Sequence, residues 1–278
     1  MERALNISPS NGPCGAIVTD VDLADIDDAV VAAIRAAWLE HLVLAFTDQH
    51  LDLDAFQAVA LRFGGFGVDP YFEGLEGHPN VAAVIREADE VSPIFAEAWH
   101  SDWSFLANPP TGTMLLSREI PPTGGDTLFA NQYAAYDALD ESMKSRINGL
   151  MGVHSARRGY APSGLYGDND TGRSMAIKTS DDAMATQLHP LVRIHPETGR
   201  PALFLSMGYT IGIDGMGDDE AQPLLFELYA HQSRQEFVYR HTWEPDMLTL
   251  WDNRALLHAA TGGYQGHRRL LHRITITN

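Results

Sequence analysis

The feature that most limits what this chain can fold into is a change of texture near residue 65. Beyond that point, short apolar runs recur: VAAVI (81–85), TGTMLLS (111–117), PLVRIH (190–195), PALFLSM (201–207), FVYRHTW (237–243), MLTLWD (247–252) and LLHRITIT (270–277). Pro, Gly or Asp bounds each of them, as expected for the strands of a barrel or sandwich. LLFELYAHQ (224–232) interrupts the series with an amphipathic helix. Before the change, GAIVTD (15–20) predicts a strand. Asp25-Ile26-Asp27-Asp28 then supplies acidic helix-start residues, and Ile26, Val30, Ile34 and Trp38 follow at helical spacing. LVLAF (42–46) predicts a short buried strand. Leu53, Phe56, Val59, Ala60 and Phe63 predict a second helix, ended by Gly64-Gly65. The predicted fold is mainly β with helices: a double-stranded β-helix (jelly-roll) core, flanking α-helices and an N-terminal αβ segment. No repeat or linker divides the chain, so one domain is expected over 1–278. Residues 155–186, rich in Gly, Ser and Asp, predict a long loop over one barrel mouth.

Charge narrows the partners. The net charge of −18 disfavours nucleic acid and anionic membranes. No run approaches the roughly 18 apolar residues of a membrane span, and the first residues lack the basic and apolar regions of a secretory signal. The single cysteine, Cys14, excludes an internal disulfide and suits a reducing compartment, so a cytoplasmic protein is expected. Against this acidic background, His267-Arg268-Arg269-Leu270-Leu271-His272-Arg273 is a basic cluster. Strand alternation places Arg269, Leu271, Arg273 and Thr275 on one face. Two arginines on one face of a strand do not point inward without anionic partners. Those partners are either acidic side chains of the chain itself or carboxylates of a ligand, which guanidinium groups suit.

A second candidate site is WHSDWSF (99–105). Alternation along a strand would put His100 and Asp102 on one face, roughly 6–7 Å apart at the backbone. Among the twelve histidines, His41, His50, His78 and His231 fall on helix faces or in polar loops, where solvated side chains are expected. His154, His189, His195 and His241 lie near strands and are expected to be structural. His258 differs: it follows Trp251-Asp252-Asn253-Arg254 and a short apolar turn, just ahead of the basic cluster. Two histidines and one carboxylate leave coordination positions open, the arrangement of non-haem Fe(II) oxygenases. Zinc is more often held by three protein ligands and a water in a tetrahedron. The spacing alone permits a metal site without requiring one.

Taken in order, WHSDWSF (99–105), PPTGGDTLFAN (121–131), HPLVRIHPETGRPALF (189–204) and WDNRALLHAATGGYQGHRRLLHRITI (251–276), together with FGGFGVDP (63–70), resemble the taurine dioxygenase/TfdA family of Fe(II)- and 2-oxoglutarate-dependent dioxygenases. The resemblance implies His100, Asp102 and His258 as iron ligands. It implies Thr127 and Arg269 as the pair holding the distal carboxylate of 2-oxoglutarate, and Arg273 as the arginine that approaches the acidic group of the substrate. Gly124, Gly125 and Asp126 read as a turn without direct contact, and Trp251 and Asp252 as scaffold. The implied reaction consumes 2-oxoglutarate and O2 and hydroxylates a C–H of a small organic acid, giving succinate and CO2. Relatives are commonly dimers or tetramers, so a homodimer or homotetramer is expected.

One position departs from the family. Taurine-cleaving members carry a histidine that helps bind the sulfonate, and here Asp69 stands in its place. Unless protonated or turned away, a carboxylate there repels a sulfonate, which disfavours taurine. Another sulfonate, a sulfate ester or a carboxylate such as an aryloxyalkanoate fits better, with its remainder against Phe105, Tyr71, Phe72 or the 155–186 loop. Arg157 and Arg158 would add positive charge at the mouth. Two rivals stand beside this reading: a zinc hydrolase using the same triad, and a jelly-roll binding protein without turnover.

Overall fold

The computed structural model describes residues 5–278. Asp27 and Asp52 open its two N-terminal helices. Their carboxylates accept hydrogen bonds from the Val30 and Ala55 amides at 2.9 and 2.8 Å, satisfying donors that the first turn leaves free. The helices run Asp28–His41 and Leu53–Phe63. Each presents an apolar stripe, and Ile34, Trp38, Phe56 and Phe63 pack against Phe46, Met114, Leu250 and Ile274 on the outer face of a large sheet. The second helix stops at Gly64 because the chain passes tightly there. A Cβ at that position would lie 2.5 Å from the Thr277 carbonyl oxygen.

Across the large sheet run Asn6–Pro9, Ala16–Thr19, Val43–Phe46, Leu248–Asp252, Gly112–Glu119, Arg269–Thr277, His78–Arg86 and Gly74–Leu75, with Gly65–Phe66 also paired to Arg269–Thr277. Ala16–Thr19 and Val43–Phe46 pair in parallel, and the other pairings are antiparallel. A three-stranded sheet of Val238–His241, Thr127–Asn131 and Leu256–Ala260 belongs to the opposite wall. Phe129, Trp251, Leu115, Leu256 and Leu271 belong to one buried apolar cluster inside this shell. A further three-stranded sheet (Gln187–Pro190, Met151–His154, Thr210–Ile213) and the pair Val192–Ile194/Pro201–Leu203 extend the structure. The helix Asp218–Gln232 seals them with Leu224, Leu225 and Leu228. The result is the expected mainly-β architecture with an αβ opening.

The differences from the expected elements are local. The run 190–195 splits around Leu191 into two pairings, and 201–207 is a strand only as far as Leu203. The helix expected from residue 224 begins at Asp218, where three acidic residues favour its positive end. His78 opens a strand instead of lying in a loop. His258 follows a short turn at 253–255, as expected, and lies within the strand Leu256–Ala260. The 155–186 segment is irregular apart from a single helical turn, Arg157–Tyr160, and the 3-10 turn Asp181–Met184.

Candidate active site

His100 and His258 come from segments far apart in sequence, and the backbone ties them directly together. The amide of His100 donates to the carbonyl of His258 at 3.0 Å, and that of His258 donates back at 2.8 Å. This isolated bridge aligns the two imidazoles, whose ring centroids are 4.1 Å apart. WHSDWSF is therefore not a regular strand. Residues 102–105 form a turn, with Trp103 at a φ of 46°. The turn brings Asp102 to the histidines, so that both Nε2 atoms lie 3.8 Å from the same carboxylate oxygen, Oδ1.

Neighbouring groups aim the three donors. Nδ1 of His100 lies 2.8 Å from the Ala98 carbonyl, which places the proton there and leaves Nε2 free to ligate. The Thr113 hydroxyl donates to Oδ2 of Asp102 at 2.6 Å. Thr113 in turn accepts from the Asn253 amide (2.8 Å), whose oxygen accepts from the Trp251 indole (2.9 Å). Burial lowers the pKa of both histidines, that of His258 to about 3. For Asp102 burial acts upward, but Arg273, the imidazoles and the Thr113 hydroxyl outweigh it and hold the carboxyl well below the usual range. At neutral pH the cluster is two neutral imidazoles and one carboxylate, all donors within 4.8 Å of one another. That set fits a divalent cation and leaves coordination positions for other ligands.

The strand Arg269–Thr277 delivers both arginines to the same cavity, as alternation requires. Arg269 is buried between the Trp243 and Tyr264 rings, 5.8 and 6.0 Å from their centroids. One Nη donates to the Gly125 carbonyl at 3.1 Å, whereas Nε has no partner, and no carboxylate pairs with Arg269 among the described residues. Burial lowers its pKa only to about 10, so it remains a cation. Gly125 has a structural part here, its carbonyl accepting from Arg269. Its φ of +73° lies where glycine is favoured, and a Cβ there would sit 3.1 Å from Arg269 Nε. Nearby, the buried Thr127 hydroxyl accepts from the Trp243 indole at 3.1 Å and keeps its own proton to donate. A buried cation without an anion, beside a free hydroxyl donor, fits a carboxylate.

Arg273 differs. One Nη lies 2.6 Å from Asp69 Oδ1 and the other 3.1 Å from Asp102 Oδ1. Asp69 also accepts from the Trp103 indole. The cavity is lined by Phe72, Phe95, Trp103, Tyr160 and Tyr209 along with the triad and both arginines. Asp69 is not part of that lining, which corrects the expectation that it meets substrate: its partners are Arg273 and Trp103. Phe105 is corrected in the same way, since it packs behind the wall, 5.5 Å from Trp103 and 5.0 Å from Tyr209. Tyr71 is likewise a second layer, stacked 4.5 Å from Tyr160. The four histidines expected to be structural are bonded to Ser104, the Leu106 carbonyl, Asp252 and Thr249.

The facing sheets and this donor set place the molecule in the class of jelly-roll proteins built around a two-histidine, one-carboxylate site. The chain belongs to the taurine catabolism dioxygenase TauD, TfdA family, whose profile matches residues 6–275. It is 34% identical over 273 residues to an (S)-phenoxypropionate/alpha-ketoglutarate-dioxygenase of Sphingobium herbicidovorans, covering 98% of this chain and 94% of that one. An alpha-ketoglutarate-dependent sulfate ester dioxygenase of Pseudomonas putida is 33% identical, over 98% and 89% of the two chains. Among solved structures, a taurine dioxygenase from Burkholderia xenovorans superposes with a TM-score of 0.81 at 32% identity, covering 98% of this chain and 89% of that one. The reaction class is accordingly that of the 2-oxoglutarate-dependent dioxygenases. Among the described residues no helix is long and apolar enough to cross a membrane.

Proposed function

We propose that His100, Asp102 and His258 hold Fe(II), that Arg269 and Thr127 hold the distal carboxylate of 2-oxoglutarate, and that the chain oxidises a C–H bond of a small anionic organic substrate. The observation that carries this is Arg269: a buried guanidinium without a carboxylate partner, opening on the same cavity as the triad. When bound, iron with 2-oxoglutarate and O2 supplies the oxidising power, with succinate and CO2 as the products of the cosubstrate.

The residues of the chain supply position and environment. The Nδ1 proton of His100 and the Thr113 hydroxyl fix two ligands in the orientation the metal needs. With Asp102 in the donor set, a bound metal would have a carboxylate where a halogenating site needs a halide, which disfavours halogenation. Phe72, Trp103, Tyr160 and Tyr209 keep the substrate space apolar and exclude water. The relatives named for phenoxypropionate and sulfate esters support an aryloxyalkanoate or a sulfate ester, and it is Asp69, paired with Arg273, that disfavours taurine.

A zinc hydrolase accounts for less. It needs a free general base beside the metal, yet Asp102 belongs to the donor set and Asp69 is bound to Arg273 and Trp103. It also leaves Arg269 unexplained. The deciding experiment combines anaerobic Fe(II) and 2-oxoglutarate with a succinate-release screen over sulfonates, alkyl sulfates, aryloxyalkanoates and simple carboxylates. A weak visible charge-transfer band and substrate-dependent succinate support the proposal; absence of both removes it. Single-domain organisation, a cytoplasmic setting and a homodimer or homotetramer complete the reading; the buried Cys14, the single cysteine of the sequence, suits a reducing compartment. Light scattering of the purified protein checks the assembly.

A further inference from the structure

We propose that the acidic group of the substrate is held by Arg158 at the mouth of the cavity, and that Asp69 has taken Arg273 out of that role. The inference rests on the function proposed above and names the anion subsite of the same cavity.

The charges around Arg273 are already matched. Asp69 lies 2.6 Å from one Nη, and Asp102 lies 3.1 Å from the other. A divalent metal would draw on Asp102, but Asp69 would still cancel the guanidinium. A substrate anion placed there would meet a neutral ion pair and pay for desolvation without gaining a charge partner.

Positive charge without a partner is scarce in this acidic chain. Among the described residues, Arg157, Arg158, Arg193 and Arg269 have no carboxylate partner. Arg157 is bonded to the Ser155 hydroxyl and the Met184 carbonyl and borders neither the main cavity nor the hollow beside it. Arg193 stacks 4.3 Å from the Phe204 ring centroid in a separate hollow beside Pro110 and Pro196. Arg269 is the cation assigned to the cosubstrate. Arg158 remains, and it lines a hollow that shares Phe95, Ala96, His100, Tyr160 and Tyr209 with the main cavity. Its Nη1 donates to the Met207 and Thr210 carbonyls at 2.7 and 3.0 Å. Neutral acceptors hold the side chain in place without cancelling its charge. Tyr160 and Tyr209 border both hollows, so the ligand that fits is an amphipathic monoanion: an apolar body along the aromatic walls and a carboxylate, sulfonate or sulfate at Arg158.

The test compares an acid with its uncharged counterpart. Anaerobic protein loaded with Fe(II) and 2-oxoglutarate is titrated calorimetrically with phenoxyacetate, hexyl sulfate and phenoxyacetamide. Wild type, Arg158→Gln and Arg158→Lys are compared. Both acids are expected to bind wild type, to bind the Gln variant about tenfold more weakly or worse, and to bind the Lys variant nearly normally. The amide should bind all three proteins alike. Equal weakening of acid and amide would show that Arg158 only shapes the Met207–Thr210 segment, and overturns the proposal. So does unchanged acid affinity in the Gln variant, or no acid binding by wild type. Repeating the titration without iron and 2-oxoglutarate keeps this outcome separate from the proposed function, which succinate release judges on its own.

Discussion

His100 and His258 are hydrogen-bonded to each other through their backbones in both directions, at 3.0 and 2.8 Å. The fold itself therefore holds the two backbones side by side. Asp102 is kept in place by the Thr113 hydroxyl. His100→Ala or His258→Ala is expected to abolish Fe(II) binding and turnover while the protein still folds, as read by iron content and circular dichroism. Thr113→Val should weaken metal binding by roughly 10–100-fold without removing a ligand. A His258→Ala protein that retained one iron per chain would contradict the assignment.

Arg269→Ala should raise the 2-oxoglutarate requirement steeply while iron still binds. Gly125→Ala is expected to do the same more mildly, because a Cβ 3.1 Å from Nε at a φ of +73° pushes on the guanidinium. Cosubstrate saturation curves beside an iron-binding titration separate the two effects. Unchanged saturation in the alanine variant at 269 would take the cosubstrate away from this arginine.

Asp69→Asn should return a net positive charge to Arg273 while keeping an acceptor for the Trp103 indole. Small anions such as methanesulfonate are expected to bind or inhibit several-fold better, with the gain shrinking as salt rises. In the double variant with Arg158→Gln, part of the lost acid affinity should return. Identical anion affinity in wild type and Asp69→Asn would mean that Asp69 does not control the charge of the pocket.

Acid should destabilise the metal-free protein early. Burial lowers His154 to about 3 and His241 to about 4, against about 6.5 in an unfolded chain. Their folded pKa values are depressed, so the unfolded chain binds more protons between those limits. Their contribution is fully present above about 6.5 and is lost as pH falls toward 3–4. By pH 5 each costs about 2 kcal/mol. Urea midpoints measured from pH 7 down to pH 5 check this, and a flat profile would contradict the buried neutral state. His154→Gln should flatten its share of the slope.

Arg269 and Arg273 were legible in the sequence because a strand repeats every two residues, and Arg269–Thr277 is regular through that stretch. The pair His100 and Asp102 was legible as chemistry but not as geometry. Alternation put them on a strand, whereas a turn and a bridge to His258 bring them together. His258 is legible from its neighbourhood, just past the turn after Trp251-Asp252, and from family resemblance, but LLHAA is too short and too uniformly apolar to show strand alternation. Thr113, Asn253 and the Gly125 carbonyl had no local signature. Their importance comes from the register between distant strands, which no short motif records. Asp69 was noticed for its charge, but which way a carboxylate turns depends on the company it keeps.

The strand that carries both arginines is an interior strand of the large sheet, paired on one side with Gly112–Glu119 and on the other with His78–Arg86. Edge strands and loops fray and exchange their amide protons readily, whereas a strand bonded on both sides opens only when its neighbours do. Arg269 thus stands at the start of a strand that is held on both sides from Leu270 onward, while Arg158 stands on a single helical turn in an irregular segment. On the proposed assignments, the cosubstrate's anchor would depend on the large sheet and the substrate's anchor on the irregular segment beside it.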